Sequence, residues 1–166
     1  MLIITGPTAA GKNTVAMQLA RQRGRCAVVD FDLVRRMFVQ PHEPPWAGEE
    51  GRAQQVLGVH QVCSLAEGFV AAGWEVIILD VLSDMTADIY YLRLGRFLPR
   101  VVQLLPTFSE LSRRFHERGP VLTEEELKVV YEEQIEYTKY DLRIDNTRLE
   151  PQEVASQVAS WLSKLS

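Results

Sequence analysis

Gly6-Pro7-Thr8-Ala9-Ala10-Gly11-Lys12 stands directly after a short apolar run, Leu2 to Thr5, and directly before a stretch rich in Ala, Leu and Gln. Two glycines and a lysine at these spacings, between a strand and a helix, make up the phosphate-loop (Walker A) pattern. Backbone N–H groups of such a loop converge on a polyphosphate, the positive end of the following helix adds to them, and the lysine reaches the outer phosphates. A Cβ at the glycine positions would obstruct that approach. Gly6, Pro7, Thr8, Ala9, Ala10, Gly11 and Lys12 are therefore the candidate nucleotide cradle, and the chain must open with a strand, a loop and a helix.

The rest of the sequence repeats that unit. Short apolar runs alternate with longer amphipathic stretches, the pattern of an α/β protein with a parallel sheet covered on both faces. Five strands are expected, near Leu2–Thr5, Ala27–Asp30, Glu75–Asp80, Val101–Leu105 and Leu142–Asp145. Helices are expected over Lys12–Arg23, Leu33–Val39, Gly51–Ala72, Asp84–Arg93, Thr107–Arg118, Glu124–Tyr137 and Pro151–Leu165. Thr107 with Glu110 and Thr123 with Glu126 have capping-box spacing, and Pro151 suits a first helical turn. Val56, Val59, Cys63, Ala66 and Val70 recur at three and four, one buried stripe of the third helix. Gln40 to Gly48, with three prolines and a tryptophan, reads as a loop.

With 166 residues and 46% apolar content the chain can furnish one core, so residues 1–166 read as a single domain. The 18 basic and 22 acidic residues are spread along the chain to a net charge of -4, without the basic block that would track a nucleic acid backbone. Cys26 and Cys63, each inside an apolar run, read as buried thiols of a reducing compartment. No basic leader precedes the glycine loop and no apolar run approaches the roughly 18 residues of a membrane span, so a cytoplasmic protein is expected.

Ligands of open α/β sheets gather beyond the carboxyl ends of the strands. Asp30 and Asp32 end the second run, and would point the same way in an extended chain; Asp80 closes Val76-Ile77-Ile78-Leu79 in Walker-B form. Aspartates there serve phosphoryl transfer as proton acceptor or as partners of magnesium and its waters, with helix N-capping as the alternative use. Asp32 is the candidate base. Asn13 stands where a phosphate loop normally has a hydroxyl, which comes one residue later at Thr14, so the candidate magnesium set is Asn13, Thr14, Asp30 and Asp80, partly through water. This order resembles the Lys-Gly-Thr of adenylate kinases, in which magnesium relies largely on waters and carboxylates. Arg113, Arg114 and Arg118 cluster on one helix, with Arg114 and Arg118 on one face as candidates to neutralise the migrating phosphoryl group and Gly119-Pro120 as a candidate hinge. Arg35, Arg36 and Trp46 are candidate acceptor contacts beside Asp32, with solvated arginines on a short surface helix and a tryptophan that anchors its loop on the core as the alternative readings. His60, Ser64 and Glu67 share a helix face that reads as solvated, and His116 has no assigned role.

The chain resembles the small bacterial P-loop kinases around gluconate kinase, shikimate kinase and chloramphenicol phosphotransferase, together with their AAA-type ATP-binding relatives. The likeness spans nearly the whole chain. It rests on Gly6 to Thr14, Asp30-Phe31-Asp32, Arg114 to Gly119, and Ile144-Asp145-Asn146-Thr147 ahead of Pro151-Gln152-Glu153-Val154. The resemblance implies a P-loop nucleoside triphosphate hydrolase fold of five parallel strands, with an acceptor region near 33–70, a lid near 112–122 and an adenine-side loop at Asn146 and Thr147. Asp80-Val81-Leu82 stands where shikimate kinases carry a glycine triplet, which sets this chain apart from them.

The expected activity is transfer of the ATP γ-phosphate, with Mg²⁺, to a hydroxyl of a small molecule. Lys12, Asp32, Arg114 and Arg118 are the expected catalytic groups. A nucleoside monophosphate kinase and a nucleotide-binding regulatory module without an acceptor are the alternatives. Nothing in the sequence bears on oligomeric state.

Overall fold

The computed structural model describes residues 1–119 and 122–165. Five parallel strands form one sheet: β1 (Leu2–Thr5), β2 (Cys26–Asp30), β3 (Glu75–Leu79), β4 (Arg100–Leu104) and β5 (Leu142–Ile144), in the spatial order β2-β3-β1-β4-β5. Ile3 pairs with Ile78 on one side of β1 and with Val101 on the other. The chain reverses its direction of travel across the sheet at β1, which makes the carboxyl end of β1 the switch point where such sheets hold ligands.

Helices α1 (Lys12–Arg21), α5 (Phe108–Arg118), α6 (Glu124–Glu136) and α7 (Pro151–Ser163) supply the core on one face; α2 (Phe31–Arg35), α3 (Gly48–Ala71) and α4 (Asp84–Leu94) supply it on the other. Successive strand residues point to opposite faces. Leu2, Ile4, Ile77, Leu79, Val102 and Leu104 thus join the first core, while Ile3, Val76, Ile78 and Val101 join the second. Strands buried on both sides read as continuous apolar runs, which is how they stand in the sequence.

The expected elements are all present, with shifted ends. The second helix starts at Phe31, not Leu33, because Asp30 caps it: its Oδ1 accepts the Asp32 N–H at 2.9 Å. The chain therefore does not stay extended through Asp30-Phe31-Asp32, although both carboxylates act on the charge of Lys12. Thr123 and Glu126 form the expected capping box, and Pro151 occupies the first turn of α7. Thr107 forms none: its side chain makes no cap bond, and the Glu110 carboxylate is drawn to Arg113 and Arg114. Cys63 is buried as expected, whereas Cys26 is half-buried; both are free thiols. His60, Ser64 and Glu67 form a partly exposed stripe, Ser64 exposed and the other two half-buried, and Arg93 of α4 bonds all three, at 3.0, 3.4 and 3.2 Å. Among the described residues no helix is long and apolar enough to cross a membrane.

Candidate functional site

The glycine loop leaves the carboxyl end of β1 in a conformation few sequences accept. Gly6 has φ +141°, and a Cβ there would meet the Leu104 carbonyl oxygen at 2.2 Å. Ala9 holds a left-handed φ of +67°, a strain of the kind found at ligand clamps. Gly11, with φ +95°, is the N-cap of α1; no side chain caps that helix and no acid stands in its first turn. Its leading N–H groups and positive dipole end are left for an anion.

Lys12 folds back over the loop, donating to the carbonyls of Gly6 at 2.7 Å and Pro7 at 3.1 Å. Burial lowers its pKa, and the carboxylates of Asp32, Asp80 and Asp30 act in the opposite sense. Asn13 donates its Nδ2 to Asp30 Oδ2 at 2.7 Å. Both Asp30 oxygens thus carry protein donors, and Asn13 is turned so that its amide oxygen remains free among the described residues. Asp32 is exposed and its carboxylate accepts no hydrogen bond among the described residues.

Asp80 is 3% exposed at the end of β3. It accepts from Tyr90 Oη at 2.9 Å and from the Val81 N–H at 2.7 Å. Burial pushes its carboxyl up to about 7, against the pull of those two hydrogen bonds. Tyr90 was not legible as a partner, since tyrosine on an amphipathic helix reads simply as core. Thr5 Oγ1 accepts from the Leu82 N–H at 2.9 Å, and Gln134 reaches from α6 to the Leu82 carbonyl at 2.7 Å. Gln103 in turn donates to the Gln134 carbonyl at 2.6 Å. The signal for this buried polar brace was a glutamine inside the run Val101-Val102-Gln103-Leu104-Leu105.

A cleft of about 410 Å³ opens between the glycine loop, α5 and the segment that leads into α7, and Gly11, Thr14, Arg114, Arg118, Asn146 and Thr147 are among its walls. Asn146 is buried and donates from Nδ2 to the Ala10 carbonyl at 2.8 Å, so the segment that follows β5 holds the glycine loop in place. Thr147 Oγ1 accepts from the Thr107 N–H at 2.8 Å. Arg114 is tied to Glu110 at 2.7 Å and to the Asn146 carbonyl at 2.8 Å. These two arginines hold the Glu110 carboxyl down at about 2, the hydrogen bond from Arg113 contributing most and that from Arg114 next. Arg118 forms no hydrogen bond or ion pair among the described residues, and its charge reaches Lys12. Gly119 closes α5 at φ +86°; Pro120 of the expected hinge lies outside the described residues.

On the other side of the glycine loop, Arg35 is buried and Arg36 exposed. Arg35 donates from Nη2 to the Glu43 carbonyl, and Gln54 Oε1 accepts from the Glu43 N–H at 3.0 Å. Gly51 lets the same segment lie against α3, because a Cβ there would meet the Pro44 carbonyl oxygen at 2.0 Å. Trp46 is 57% exposed and does not anchor the loop in the core.

No protein-family model matches the chain, and no curated protein does. Solved structures do. A sugar kinase from a Janibacter species superposes with a TM-score of 0.73 at 18% identity, over 98% of this chain and 93% of that one. A tunicamycin resistance protein from Deinococcus radiodurans gives 0.69 at 18%, over 97% and 94%. Shikimate kinase from Acinetobacter baumannii, in complex with shikimate, gives 0.65 at 17%, over 99% and 93%. At these identities the likeness defines the fold: a P-loop α/β fold that small-molecule kinases also carry.

Proposed function

We propose that the protein is an ATP-dependent phosphotransferase that moves the γ-phosphate to a hydroxyl of a small molecule. The observation that carries this reading is the uncapped start of α1 behind a strained glycine loop, with Lys12 set among the charges of Asp32, Asp80 and Asp30. The nucleotide phosphates lie along Gly6 to Thr14, with Lys12 leaving the Gly6 and Pro7 carbonyls for the outer phosphates. Asn146 and Thr147 flank the base, and the 410 Å³ cleft is the nucleotide side of the site.

Magnesium fits the residues present. Asn13 offers a free amide oxygen because Asp30 holds its nitrogen, Thr14 lines the cleft, and Asp80 is fixed by Tyr90 and the Val81 N–H. Bound there, partly through water, the ion would supply positive charge to the nucleotide phosphates. Asp30 serves this set mainly by orienting Asn13.

Asp32, unpaired and exposed, takes the proton of the acceptor hydroxyl as its oxygen bonds to phosphorus and the bond to the ADP oxygen breaks. Arg118 supplies charge to the migrating group, and Arg114 holds the nucleotide side in register through Glu110 and the Asn146 carbonyl. Residues 33–70, with Arg35, Arg36 and Trp46, form the acceptor side, and 112–122 act as the lid, all within one domain.

Asp32→Asn tests the assignment of the base. Turnover is expected to fall by about 100-fold or more while ATP affinity, read by calorimetry, stays near that of the unaltered protein. Unchanged turnover would remove Asp32 from that role.

A further inference from the structure

Leu92 of α4 is 85% exposed, more than any other large apolar side chain among the described residues. It does not stand alone. Met85, one heptad earlier, is 46% exposed, and the half-buried Ile89 lies between them at spacings of four and three, so the three share one helix face. Leu98, 75% exposed, follows the 3₁₀ turn Gly95–Phe97 at a left-handed φ of +49° that leucine rarely adopts. The other faces of α4 are occupied: Ala87, Tyr90 and Leu94 enter the core, and Arg93 bonds to α3. Single exposed leucines are ordinary on a protein surface, but a file of apolar side chains along one helix marks a contact.

Charge is ordered about Leu92. Asp88 stands four residues before it and Arg96 four after, their side chains 70% and 67% exposed. At a rise of about 1.5 Å per residue the acid and the base lie about 6 Å to either side of the leucine along the helix. A two-fold axis through Leu92 makes the helices of two copies antiparallel and sets Leu92 against the partner's Leu92. Asp88 of each copy then comes level with the partner's Arg96, and Ile89 with the partner's Gly95, which has no Cβ to hold the helices apart. The ion pairs Lys139–Asp88 at 2.6 Å and Arg96–Glu67 at 3.4 Å join across the axis into a run of alternating charge. Both signs along one face suit neither an anionic membrane nor a nucleic acid, each of which draws a single sign. They suit a surface with the signs in reverse order, and the same face turned end to end is that surface.

We propose that the protein forms a two-fold dimer through α4, packed antiparallel with Leu92 at the axis. Burial of the apolar file supplies the affinity, while the exposed ion pairs add little to it and fix the register. A contact built on one helix from each copy is at the small end of protein interfaces, so association is expected at micromolar concentration. The inference does not rest on the kinase reading. α5 and α7, beside the 410 Å³ cleft, pack on the other face of the sheet, and each copy keeps its cleft open.

Sedimentation equilibrium from about 1 to about 300 µM, the range in which a small interface associates, tests this. A monomer–dimer equilibrium is expected. Leu92→Lys is expected to weaken it by about 30-fold or more, as a loss at the centre of an interface does. Its urea midpoint should stay near that of the parent, which separates a lost dimer from a lost fold. Val129→Lys, at an exposed apolar site on α6, should leave the dimer unchanged. Asp88→Arg and Arg96→Asp should each weaken it by about 10-fold or more, since each sets like charges level across the axis twice. Mixed in equal amounts, these two single variants should associate more tightly than either alone, because opposite charges again face each other at both positions. That recovery is particular to the antiparallel register. A monomer at every concentration, a dimer that survives Leu92→Lys, equal loss in Val129→Lys, or no recovery in the mixture would each overturn the proposal. Leu92-dependent binding of a monomeric chain to vesicles of phosphatidylglycerol and phosphatidylcholine would overturn it too, and assign the face to a membrane surface.

Discussion

Asp30 and Asp32 are two residues apart and are held in different ways. Asp30 spends one oxygen on the first turn of α2 and the other on Asn13, whereas Asp32 accepts no bond among the described residues. Replacing them should therefore separate stability from chemistry. Asp30→Ala removes an N-cap and is expected to cost about 0.5–2 kcal/mol in a urea titration. It also frees the Asn13 amide to rotate, so Mn²⁺ affinity of the ATP complex should fall while affinity for metal-free ATP does not. Asp32→Asn removes no such bond and is expected to leave the urea midpoint near that of the parent. A stability loss at Asp32 and none at Asp30 would reverse the assignments.

Between elements, the fit of α3 to the 41–47 segment makes a sharp comparison. Alanine in place of glycine inside a helix ordinarily stabilises by about 1 kcal/mol, and Gly68, with nothing within 4 Å of an added Cβ, should show that gain. Gly51→Ala should do the opposite, since overpacking against the Pro44 carbonyl costs about 1–3 kcal/mol. Equal shifts in urea midpoint for the two would contradict this packing. Glu110 gives a pH-dependent counterpart. Arg113 and Arg114 hold its carboxyl at about 2 instead of 4.5, so its contribution is present above about 4.5 and is lost as pH falls toward 2. Glu110→Gln should accordingly lower the urea midpoint at pH 7 and progressively less as pH is taken from 6 to 3. It should also weaken ATP binding, because Arg114 loses its tether beside Asn146.

The elements were legible because each strand is an apolar run stopped by a polar residue, and because glycine, proline and capping pairs punctuate the helices. Ends and partners were less so. The extended reading of Asp30-Phe31-Asp32 failed since a cap forms between residues two apart, a local bond that competes with strand continuation. The Thr107 cap failed because Glu110 had a stronger option in two arginines. Long-range partners such as Tyr90 with Asp80 or Asn146 with the Ala10 carbonyl depend on sheet order, which no local pattern carries. The glycine loop between β1 and α1 could be read from contiguous residues; the meeting of Arg35, Glu43 and Gln54 could not, because it arises only through the α2–α3 packing.

For the whole molecule, the two cores hold β1 between β3 and β4 and so fix the loop that follows it, while the polar brace of Thr5, Gln103 and Gln134 closes the sheet beneath the site. The cleft on one side of the loop and the α2–α3 region on the other are the proposed separate approaches of a nucleotide and an acceptor to Lys12 and Asp32. That arrangement is the central claim, and ADP release from Mg-ATP tests it most directly. The release is followed by coupled assay across sugar acids, shikimate, nucleosides, nucleotides and hydroxylated antibiotics, with Lys12→Ala alongside. Release stimulated by at least one acceptor and abolished by Lys12→Ala is the predicted result. ATP binding confirmed by calorimetry, with no acceptor raising ADP release above the Lys12→Ala level, would contradict the claim and leave a nucleotide-binding module in its place.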